Sequence, residues 1–395
     1  MKKIGVFTGN RAEYGLLHSI IEKLNKNSQF KLQLFVSGAH LDPAFGNTIE
    51  SIRAEGFPIT EEIKIDLDHD DLYSTSMAIG HGIQEIAKAL KKHTPDLLVV
   101  YADRFEGFSA IIAASQMRIP VAHVEGGDIT EGGALDDSVR HAMTKLSHLH
   151  FTTSEQARLN VIQMGEESWR VHFVGLPSLD RIYAGHYSSP EELVKNWDLD
   201  LGRPIIVFTQ HSVTTQFDQA VDQVQHSLRV LEKFLQKEAQ VFITYPNNDA
   251  GGKSIVERIH QFESKKFPGL KVVSSLGGRA YHGLLALAKN PEMKVVCVGN
   301  SSSGIKETPV FGCPAVNIGS RQDGRLRASN VIDVGYNQNE INSAIHKCLY
   351  DEAFRKMCRQ VANPYGDGKA AERVMDVLAK IEFNEKLITK KTILG

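Results

Sequence analysis

Apolar strand-like runs alternate with helix-like runs along the chain, and this alternation limits the possible folds more than any other feature. In the first half, strands are predicted at Ile4–Thr8, Phe30–Val36, Leu97–Tyr101, Val121–Val124 and His150–Thr153. Helical periodicity between them is found at Tyr14–Leu24, Met77–Lys92 and Phe108–Met117. The short distance from each strand to the next helix favours a doubly wound parallel α/β sheet.

A second series with the same pattern follows an irregular stretch from Leu176 to Pro204 that contains three prolines. Its predicted strands are Ile205–Thr209, Gln240–Tyr245, Leu270–Ser274, Lys294–Val298 and Ala315–Ile318, with helices at Gln219–Gln236, Gly252–Phe262 and Tyr281–Lys289. We therefore predict two Rossmann-like domains whose parallel sheets face a central cleft, the arrangement called GT-B. The expected division is an N-terminal domain over 1–175, a connector over 176–204, a second domain over 205–370, and a C-terminal helix and tail over 371–395. The tail lysines Lys386, Lys390 and Lys391 are expected to be solvated.

Composition narrows the class of protein. A chain of 395 residues is long for a single core, which agrees with two domains. A formal net charge of -2 gives no electrostatic argument for binding nucleic acid or an anionic membrane. The four cysteines lack metal-ligand spacing, and neither a signal peptide nor a membrane span is predicted, so a cytoplasmic location is expected.

The stretch from Val298 to Glu307 is a candidate phosphate-binding junction. A buried strand ends in Gly299-Asn300-Ser301-Ser302-Ser303-Gly304, and a helical pattern resumes at Ile305. Backbone N–H groups and hydroxyls at such a junction can bind phosphate oxygens, and Glu307 suits a ribose diol. The alternative is an ordinary helix start capped by Ser303.

A similar junction follows the first strand, at Thr8 to Gly15. Gly9 permits a tight turn, and Arg11 can offer a bidentate fork to a diphosphate, although the dinucleotide-binding spacing is absent. After the strand Leu97–Tyr101 come Asp103 and Arg104, which suit either acid/base work and charge recognition or a local ion pair.

The densest group of charged residues follows the strand Val121–Val124. Glu125 enters a Gly-Gly turn, and Asp136 and Asp137 lie about one helical turn before Arg140 and His141. Clustered carboxylates raise one another's pKa and so suit proton transfer near neutral pH. A helix cap with a surface ion pair is the alternative, and it explains one of the two aspartates.

Two further groups follow predicted strands of the second domain. His211 is the candidate general acid or base, against a purely structural histidine. Arg321, Arg325 and Arg327 lie beyond the strand Ala315–Ile318 and suit a pyrophosphate, against a solvated basic loop. His69, Asp70 and Asp71 lack the further ligands that a metal site would need.

Taken in order, these motifs resemble the hydrolysing UDP-N-acetylglucosamine 2-epimerases of the sialic and legionaminic acid branch, over about residues 3–380. The motifs that carry the resemblance are Thr8-Gly9-Asn10-Arg11-Ala12-Glu13-Tyr14, Asp103-Arg104, His123-Val124-Glu125-Gly126-Gly127, Asp136-Asp137-Ser138-Val139-Arg140-His141, Gln210-His211, Gly299-Asn300-Ser301-Ser302 and Arg321-Gln322-Asp323-Gly324-Arg325. The non-hydrolysing epimerases carry Arg-Pro-Glu where this chain has Arg11-Ala12-Glu13.

The resemblance implies a mechanism and a set of site residues. A base removes the C2 proton, UDP leaves C1, and water adds to the resulting 2-acetamidoglycal. The implied catalytic residues are Asp103, Glu125, Asp137, His211 and Arg140. The implied substrate-binding residues are Arg11, Gly15, Arg104, Asp136, Asn247, Ser301, Ser302, Glu307 and Arg321. No cofactor or metal is implied, the partner is a small nucleotide sugar, and a homodimer or homotetramer is expected.

Departures from the family pattern bear on the substrate. Ala102 replaces a glycine before Asp103, Ser212 replaces a proline after His211, and the loop from Ile129 to Leu135 is longer than in the animal enzyme. UDP-N-acetylglucosamine is the expected substrate because it is the commonest in the family. The alternatives are UDP- or GDP-N,N'-diacetylbacillosamine and, more distantly, a GT-B glycosyltransferase or a nucleotide-sugar sensor.

Overall fold

The computed structural model describes residues 1–43, 47–65, 72–130, 134–247 and 251–393. The chain forms two compact units. The first comprises Met1–Ile129, Leu135–Arg181 and Tyr365–Gly395, and the second comprises Thr130–Ala134 and Ile182–Pro364. Because the chain returns to the first unit with its last segment, residues distant in sequence share that core.

The first unit contains a seven-stranded, fully parallel sheet. Its strands are β1 (Lys2–Thr8), β2 (Phe30–Ser37), β3 (Ile59–Ile63), β4 (Leu97–Tyr101), β5 (Val121–Val124), β6 (Leu149–Thr152) and β7 (Val171–Phe173). They lie in the order β3-β2-β1-β4-β5-β6-β7. The central strands are buried on both faces, as parallel strands covered by helices require. The strand order reverses between β1 and β4, so loops after these two strands border a crevice where ligands commonly bind.

Helices cover both faces of this sheet. They are α1 (Arg11–Lys26), α2 (Ile49–Ala54), α3 (Leu72–His93), α4 (Phe105–Gln116), α5 (Ala134–Leu146), α6 (Glu155–Gln163), and, from the far end of the chain, α15 (Ala370–Lys380) and α16 (Glu385–Ile388). Leu17 and Ile21 of α1 share one hydrophobic cluster with Val374 and Leu378 of α15. The C-terminal helix is therefore part of the first core.

The second unit repeats the architecture with six parallel strands. They are β8 (Ile205–Thr209), β9 (Gln240–Thr244), β10 (Leu270–Val273), β11 (Val295–Gly299), β12 (Ala315–Ile318) and β13 (Val331–Val334), in the order β10-β9-β8-β11-β12-β13. The order reverses between β8 and β11. The helices are α8 (Pro190–Trp197), α9 (Ala220–Leu235), α10 (Gly252–Glu263), α11 (Gly277–Ala286), α12 (Ser303–Lys306), α13 (Gln338–Tyr350) and α14 (Glu352–Cys358).

Two expectations about irregular segments are wrong. The stretch from Leu176 to Pro204 contains α7 (Ser178–Tyr183) and α8, and Ser189 begins α8 with a reciprocal capping box to Glu192. In the C-terminal tail, Lys390 is not solvated, because its Nζ lies 2.8 Å from an Oε2 of the buried Glu166.

Among the helices that the structure describes, none is both long enough and apolar enough to cross a membrane.

Candidate active site

In the first unit, the loops after β1 and β4 lie next to each other at the point where the strand order reverses. A Cβ on Gly9 would lie 2.7 Å from the Cβ of Glu106, so the turn after β1 requires glycine. Asn10 then caps α1 by accepting the N–H of Glu13 at 3.0 Å. This turn places Arg11 at the start of α1, with its side chain exposed.

Arg140 is the centre of the charged cluster in this unit. Its side chain is 3% exposed, and it forms ion pairs with Asp103, after β4, and with Asp137, one turn earlier on α5. The Asp137 pair measures 2.5 Å, and Nη1 also donates to the Asp128 carbonyl at 2.9 Å. Burial alone would lower the pKa of Arg140, but Asp103, Glu125, Asp128 and Asp137 outweigh it and raise that pKa. The guanidinium therefore stays charged among acids.

Two residues of this cluster have backbone conformations that side chains disfavour. Ala102 has φ +51° and Glu125 has φ +68°, each directly after a strand. The buried His123 supports the first of these turns, because its Nε2 lies 2.7 Å from the Ala102 carbonyl oxygen. Burial lowers the pKa of His123 to about 3, so the ring is neutral and its one proton lies on Nε2, facing that carbonyl.

A second carboxyl pair beneath the same loops was missed by sequence analysis. Glu13 and Glu106 are both buried, and the N–H of Gly9 donates to Glu13 Oε2 at 2.7 Å. Burial, followed by the charge of Glu106, raises the pKa of Glu13 to about 8. Burial also raises the pKa of Glu106. At neutral pH Glu13 is therefore largely protonated beside Glu106 at the base of the β1 loop.

Of the remaining predicted residues of the first unit, Gly15 and Arg104 lie at its surface. Gly15 faces open space on α1. Arg104 is about half exposed, with its Nε 3.7 Å from Glu106 Oε2. The side chain of Asp136, residues 131–133 of the loop from Ile129 to Leu135, and His69, Asp70 and Asp71 lie outside the described residues.

In the second unit, the loops after β8 and β11 are the corresponding pair. His211 follows β8, and its Nδ1 lies 3.0 Å from the backbone N of Asn247 and 3.1 Å from the side-chain Oδ1 of the same residue. The Asn247 N–H donates to Nδ1 in the tautomer whose proton lies on Nε2. Burial and then the charge of Arg321 lower the pKa of His211 to about 3. The imidazole is therefore neutral at working pH and presents an N–H donor.

The loop after β11 differs in part from its predicted form. Gly299 has φ +129°, and a Cβ there would lie 1.9 Å from the carbonyl oxygen of Thr209, so only glycine fits beside β8. The following helix, Ser303–Lys306, has only four residues, and Ser302 at its N-cap position makes no side-chain capping bond. The alternative of an ordinary helix start capped by Ser303 is therefore wrong. Ser301 and Ser302 remain half-buried at the loop. A helix this short adds little dipole, which leaves hydroxyls and nearby cations as the groups suited to phosphate.

Glu307 has a partner that sequence analysis did not identify. His282 Nε2, on α11, lies 3.0 Å from Glu307 Oε2, and both side chains are less than one-fifth exposed. The pairing depends on α11 packing beside β11, which no local pattern around Glu307 indicates.

The three arginines after β12 have different partners. Arg321 Nη1 donates to the Asn300 carbonyl at 3.3 Å, so it reaches the loop after β11. Arg327 instead lies 3.0 Å from Asp333 and donates to the Gln322 carbonyl at 2.8 Å, which gives it a structural role. Arg325 is half-buried with a 3.1 Å bond to Thr130. Of the predicted trio, Arg321 is the one bonded to that loop.

Within each unit the structure thus brings one set of predicted residues together. Asp103, Asp137 and Arg140 are in contact in the first unit, and Glu125 adds to their electrostatics. His211, Asn247 and Arg321 are connected in the second. In the described part of the chain, no group of three His, Cys, Asp or Glu side chains has the geometry of a metal site.

Comparisons with known proteins give a consistent result. A family model described as UDP-N-acetylglucosamine 2-epimerase matches residues 22–379. A Legionella pneumophila protein named UDP-N,N'-diacetylbacillosamine 2-epimerase (hydrolyzing) is 34% identical over 390 residues, which are 99% of each chain. A Campylobacter jejuni protein named GDP/UDP-N,N'-diacetylbacillosamine 2-epimerase (hydrolyzing) is 33% identical, over 90% of this chain and 87% of that one.

Among solved structures, the UDP-GlcNAc 2-epimerase from Neisseria meningitidis bound to UDP-GlcNAc has a TM-score of 0.78. The match covers 96% of this chain and 100% of that one at 19% identity, which shows a shared fold. The predicted GT-B class, with two Rossmann-like α/β domains, is confirmed.

Proposed function

The chain belongs to the hydrolysing group of the UDP-N-acetylglucosamine 2-epimerase family, and from this membership we propose that its substrate is UDP-N,N'-diacetylbacillosamine. The products would be UDP and free 2,4-diacetamido-2,4,6-trideoxymannose. Membership of this family shows that the chain is a nucleotide-sugar 2-epimerase. The particular sugar, the roles of the site residues and the order of the chemical steps are our proposal.

The observation that best supports epimerisation at C2 is the grouping of acidic side chains around Arg140. Removing the C2 proton of a sugar needs a base, which a carboxylate can supply, and restoring a proton from the other face needs an acid. Asp103 and Asp137 pair with one buried guanidinium, and Glu125 lies within its electrostatic reach. A glycosyltransferase, which leaves C2 untouched, has no use for this many acids around one cation.

The steps balance as an elimination followed by hydration. A carboxylate takes the C2 proton, the C2–H electron pair forms the C1–C2 double bond, and the C1–O bond breaks to release UDP. Water then adds its oxygen at C1 and gives one proton to a carboxylate, and C2 receives a proton from the opposite face. Asp103, Glu125 and Asp137 are the proposed acids and bases, and Arg140 fixes their positions and charge.

The nucleotide is assigned to the other predicted residues. Arg11, Ser301, Ser302 and Arg321 are proposed for the diphosphate, Glu307 for the ribose and Asn247 for the nucleotide. Gly15, Arg104 and Asp136 remain predicted substrate contacts. The lowered pKa of His211 keeps its ring neutral. We therefore propose that its Nε2–H donates a hydrogen bond to the leaving diphosphate, and that the ring does not act as a positively charged imidazolium.

The choice of sugar rests on the relatives. Sequence analysis expected N-acetylglucosamine, with N,N'-diacetylbacillosamine as the alternative. The Legionella pneumophila and Campylobacter jejuni proteins, at 34% and 33% identity, both carry names that specify the latter sugar, so they favour the alternative. The second of these names includes GDP as well as UDP, so both nucleotides belong in the test.

Proton NMR in deuterated water tests the proposal directly. The purified protein is incubated separately with UDP-N,N'-diacetylbacillosamine, its GDP counterpart and UDP-N-acetylglucosamine. We expect free 2-epimerised diacetamido sugar with deuterium at C2, together with UDP, from the first. Faster turnover of UDP-N-acetylglucosamine would contradict the sugar assignment, and a nucleotide-linked epimer as the product would contradict hydrolysis.

Isosteric variants test the acid cluster. D103N, E125Q and D137N keep side-chain volume but remove a proton acceptor, so we expect each to lower kcat by about 100-fold or more while UDP still binds. E22Q, at a partly exposed position of α1 where Glu22 pairs with Lys26, is the control. A variant that keeps kcat within about threefold of wild type would remove that residue from the proposed chemistry.

A further inference from the structure

Asn300 lies where the loop after β11 meets the loop after β8, and its side chain is fully buried. We propose that Asn300 is a positioning residue that fixes His211 and Arg321 in one geometry. This inference rests on the proposed function for what those two residues do, and it adds a residue to which sequence analysis assigned no role.

The carboxamide of Asn300 binds both backbone groups of His211, its N–H and its carbonyl. Oδ1 accepts the N–H of His211 at 2.7 Å, and Nδ2 donates to the carbonyl of the same residue at 2.9 Å. Exchanging the amide oxygen and nitrogen would set donor against donor and acceptor against acceptor, so this pair of bonds determines the amide orientation. The clamp fixes the peptide planes on either side of the imidazole.

The backbone of Asn300 connects two more segments. Its N–H donates to the Thr209 carbonyl at 3.1 Å, which continues the pairing of β8 and β11 beyond the strands. Its carbonyl accepts Gln322 Nε2 at 2.8 Å and Arg321 Nη1 at 3.3 Å. One buried residue therefore joins the loops after β8, β11 and β12.

This geometry requires an asparagine. Aspartate would fill the same volume but present an acceptor to the His211 carbonyl, and alanine would leave both backbone groups of His211 without this partner. Because Asn300 is fully buried, it acts on a ligand through the residues it holds, His211 through its carboxamide and Arg321 through its backbone carbonyl. Substituting Asn300 should therefore have the same kind of effect on activity as substituting His211 or Arg321, but a smaller one.

The test compares N300D with N330D in the purified full-length protein. Asn330 is a matched control, since it is also fully buried in the second unit and its Nδ2 donates to Thr308 Oγ1 at 2.9 Å and to the Cys313 carbonyl at 2.8 Å. We expect N300D to lower kcat by about 30-fold and to raise the UDP dissociation constant about fivefold. N330D should lose comparable thermal stability yet change both values by less than about threefold. N300A repeats the comparison against N330A without introducing a buried charge.

A double-mutant cycle separates positioning from general damage. In an H211Q background, where the imidazole is already absent, N300D should lower kcat by less than about threefold further. A full 30-fold loss in that background, or equal losses in N300D and N330D, would overturn the proposal. If the wild-type protein turns over none of the offered substrates, the proposed function fails separately. Titration of UDP still tests whether the carboxamide clamp sets the position of the loop whose carbonyl binds Arg321, because equal UDP affinity in N300D and wild type overturns that part of the proposal.

Discussion

At the scale of single residues, backbone strain is concentrated beside the acid cluster. Ala102 and Glu125, at the ends of two neighbouring strands, both adopt left-handed conformations that glycine would accept without penalty. The glycine expected before Asp103 in the family pattern now has a physical explanation. This chain keeps a Cβ there, and His123 holds the strained turn through the Ala102 carbonyl.

Replacing Ala102 with glycine should therefore stabilise the protein. We expect A102G to raise the free energy of unfolding by about 1 kcal/mol, since the relief of a positive φ exceeds the added chain entropy of glycine. Urea denaturation measures the change. A110G, in the middle of α4, is the control and should destabilise by about 1 kcal/mol. An A102G protein less stable than wild type would show that the turn carries no strain.

The buried pair Glu13 and Glu106 predicts a pH dependence of stability. The pKa of Glu13 is raised from 4.5 in the unfolded chain to about 8 in the fold, so folding favours its protonated form. Stability from this group is complete below pH 4.5 and is lost as the pH rises towards 8. Glu106, Arg104 and Asp103 are the charged groups that act on it.

E13Q keeps an acceptor for the Gly9 N–H but cannot ionise. We expect it to be more stable than wild type at pH 8, by on the order of 2 kcal/mol, with the difference shrinking towards pH 5. Chemical denaturation at several pH values measures this, with E22Q, at a partly exposed ion pair of the same helix, as the control. A stability difference that does not change with pH would contradict a raised pKa for Glu13.

At the scale of elements, the C-terminal segment is anchored to the first unit by buried charges. Arg170 is fully buried, and its guanidinium donates to the carbonyls of Lys386, Leu387 and Thr389 at 2.6–2.9 Å. Glu166, also buried, binds Lys390 at 2.8 Å and Lys145 at 2.6 Å. These contacts fix the end of the C-terminal segment, which contains α15 and α16, to the first unit.

Substituting Arg170 with lysine should release this segment. The single ammonium group of a lysine cannot reach all the carbonyls that the planar guanidinium of Arg170 binds. We therefore expect R170K to lower the free energy of unfolding by about 3 kcal/mol. Limited proteolysis should then cut the chain after α15 sooner than in wild type. R158K, at the surface ion pair with Glu155, is the control. Equal protease resistance in both variants would contradict the anchoring role.

How far the sequence predicts the structure depends on what stabilises each element. β4, β5, β8 and β12 occur at their predicted residues because buried parallel strands are continuous apolar runs. The edge strands β3 and β13 were missed because their exposed faces carry residues such as Glu62 and Asp333, which break such runs.

The same distinction applies to the candidate site. The Asp137–Arg140 pair was predictable because both residues lie on one helix, three positions apart. The Asn300 clamp on His211 and the His282–Glu307 pair were not, because each joins segments that only the packed fold brings together. Local spacing therefore identifies acids and bases, whereas the residues that orient them emerge from sheet topology.

At the scale of the whole molecule, each unit has its own core, and the cysteines lie only in the second unit. All four cysteines of the chain lie in the second unit, and all are buried. Burial raises the pKa of Cys297 to about 11 and that of Cys358 to about 12, and it raises the pKa of the other two as well. Neither access nor ionisation favours reaction in the native state.

Thiol labelling should therefore measure the opening of the second unit. With a thiol reagent such as DTNB, we expect negligible reaction in the native protein and four thiols per chain after denaturation. If UDP binds this unit, UDP at about 100 times its dissociation constant should slow labelling in mild urea by about 100-fold. Rapid labelling of the native protein, or labelling insensitive to UDP, would contradict these expectations.

The return of residues 365–393 to the first unit has a consequence for how a ribosome makes this protein. The strands of the second sheet, Ile205–Thr209 through Val331–Val334, emerge as one continuous block and can pair while translation continues. Leu17 and Ile21 must wait for Val374 and Leu378, which are synthesised more than 350 codons later. We therefore expect the half of the molecule that is translated first to complete its core last, because the part of α1 that packs against α15 stays uncovered until α15 is synthesised.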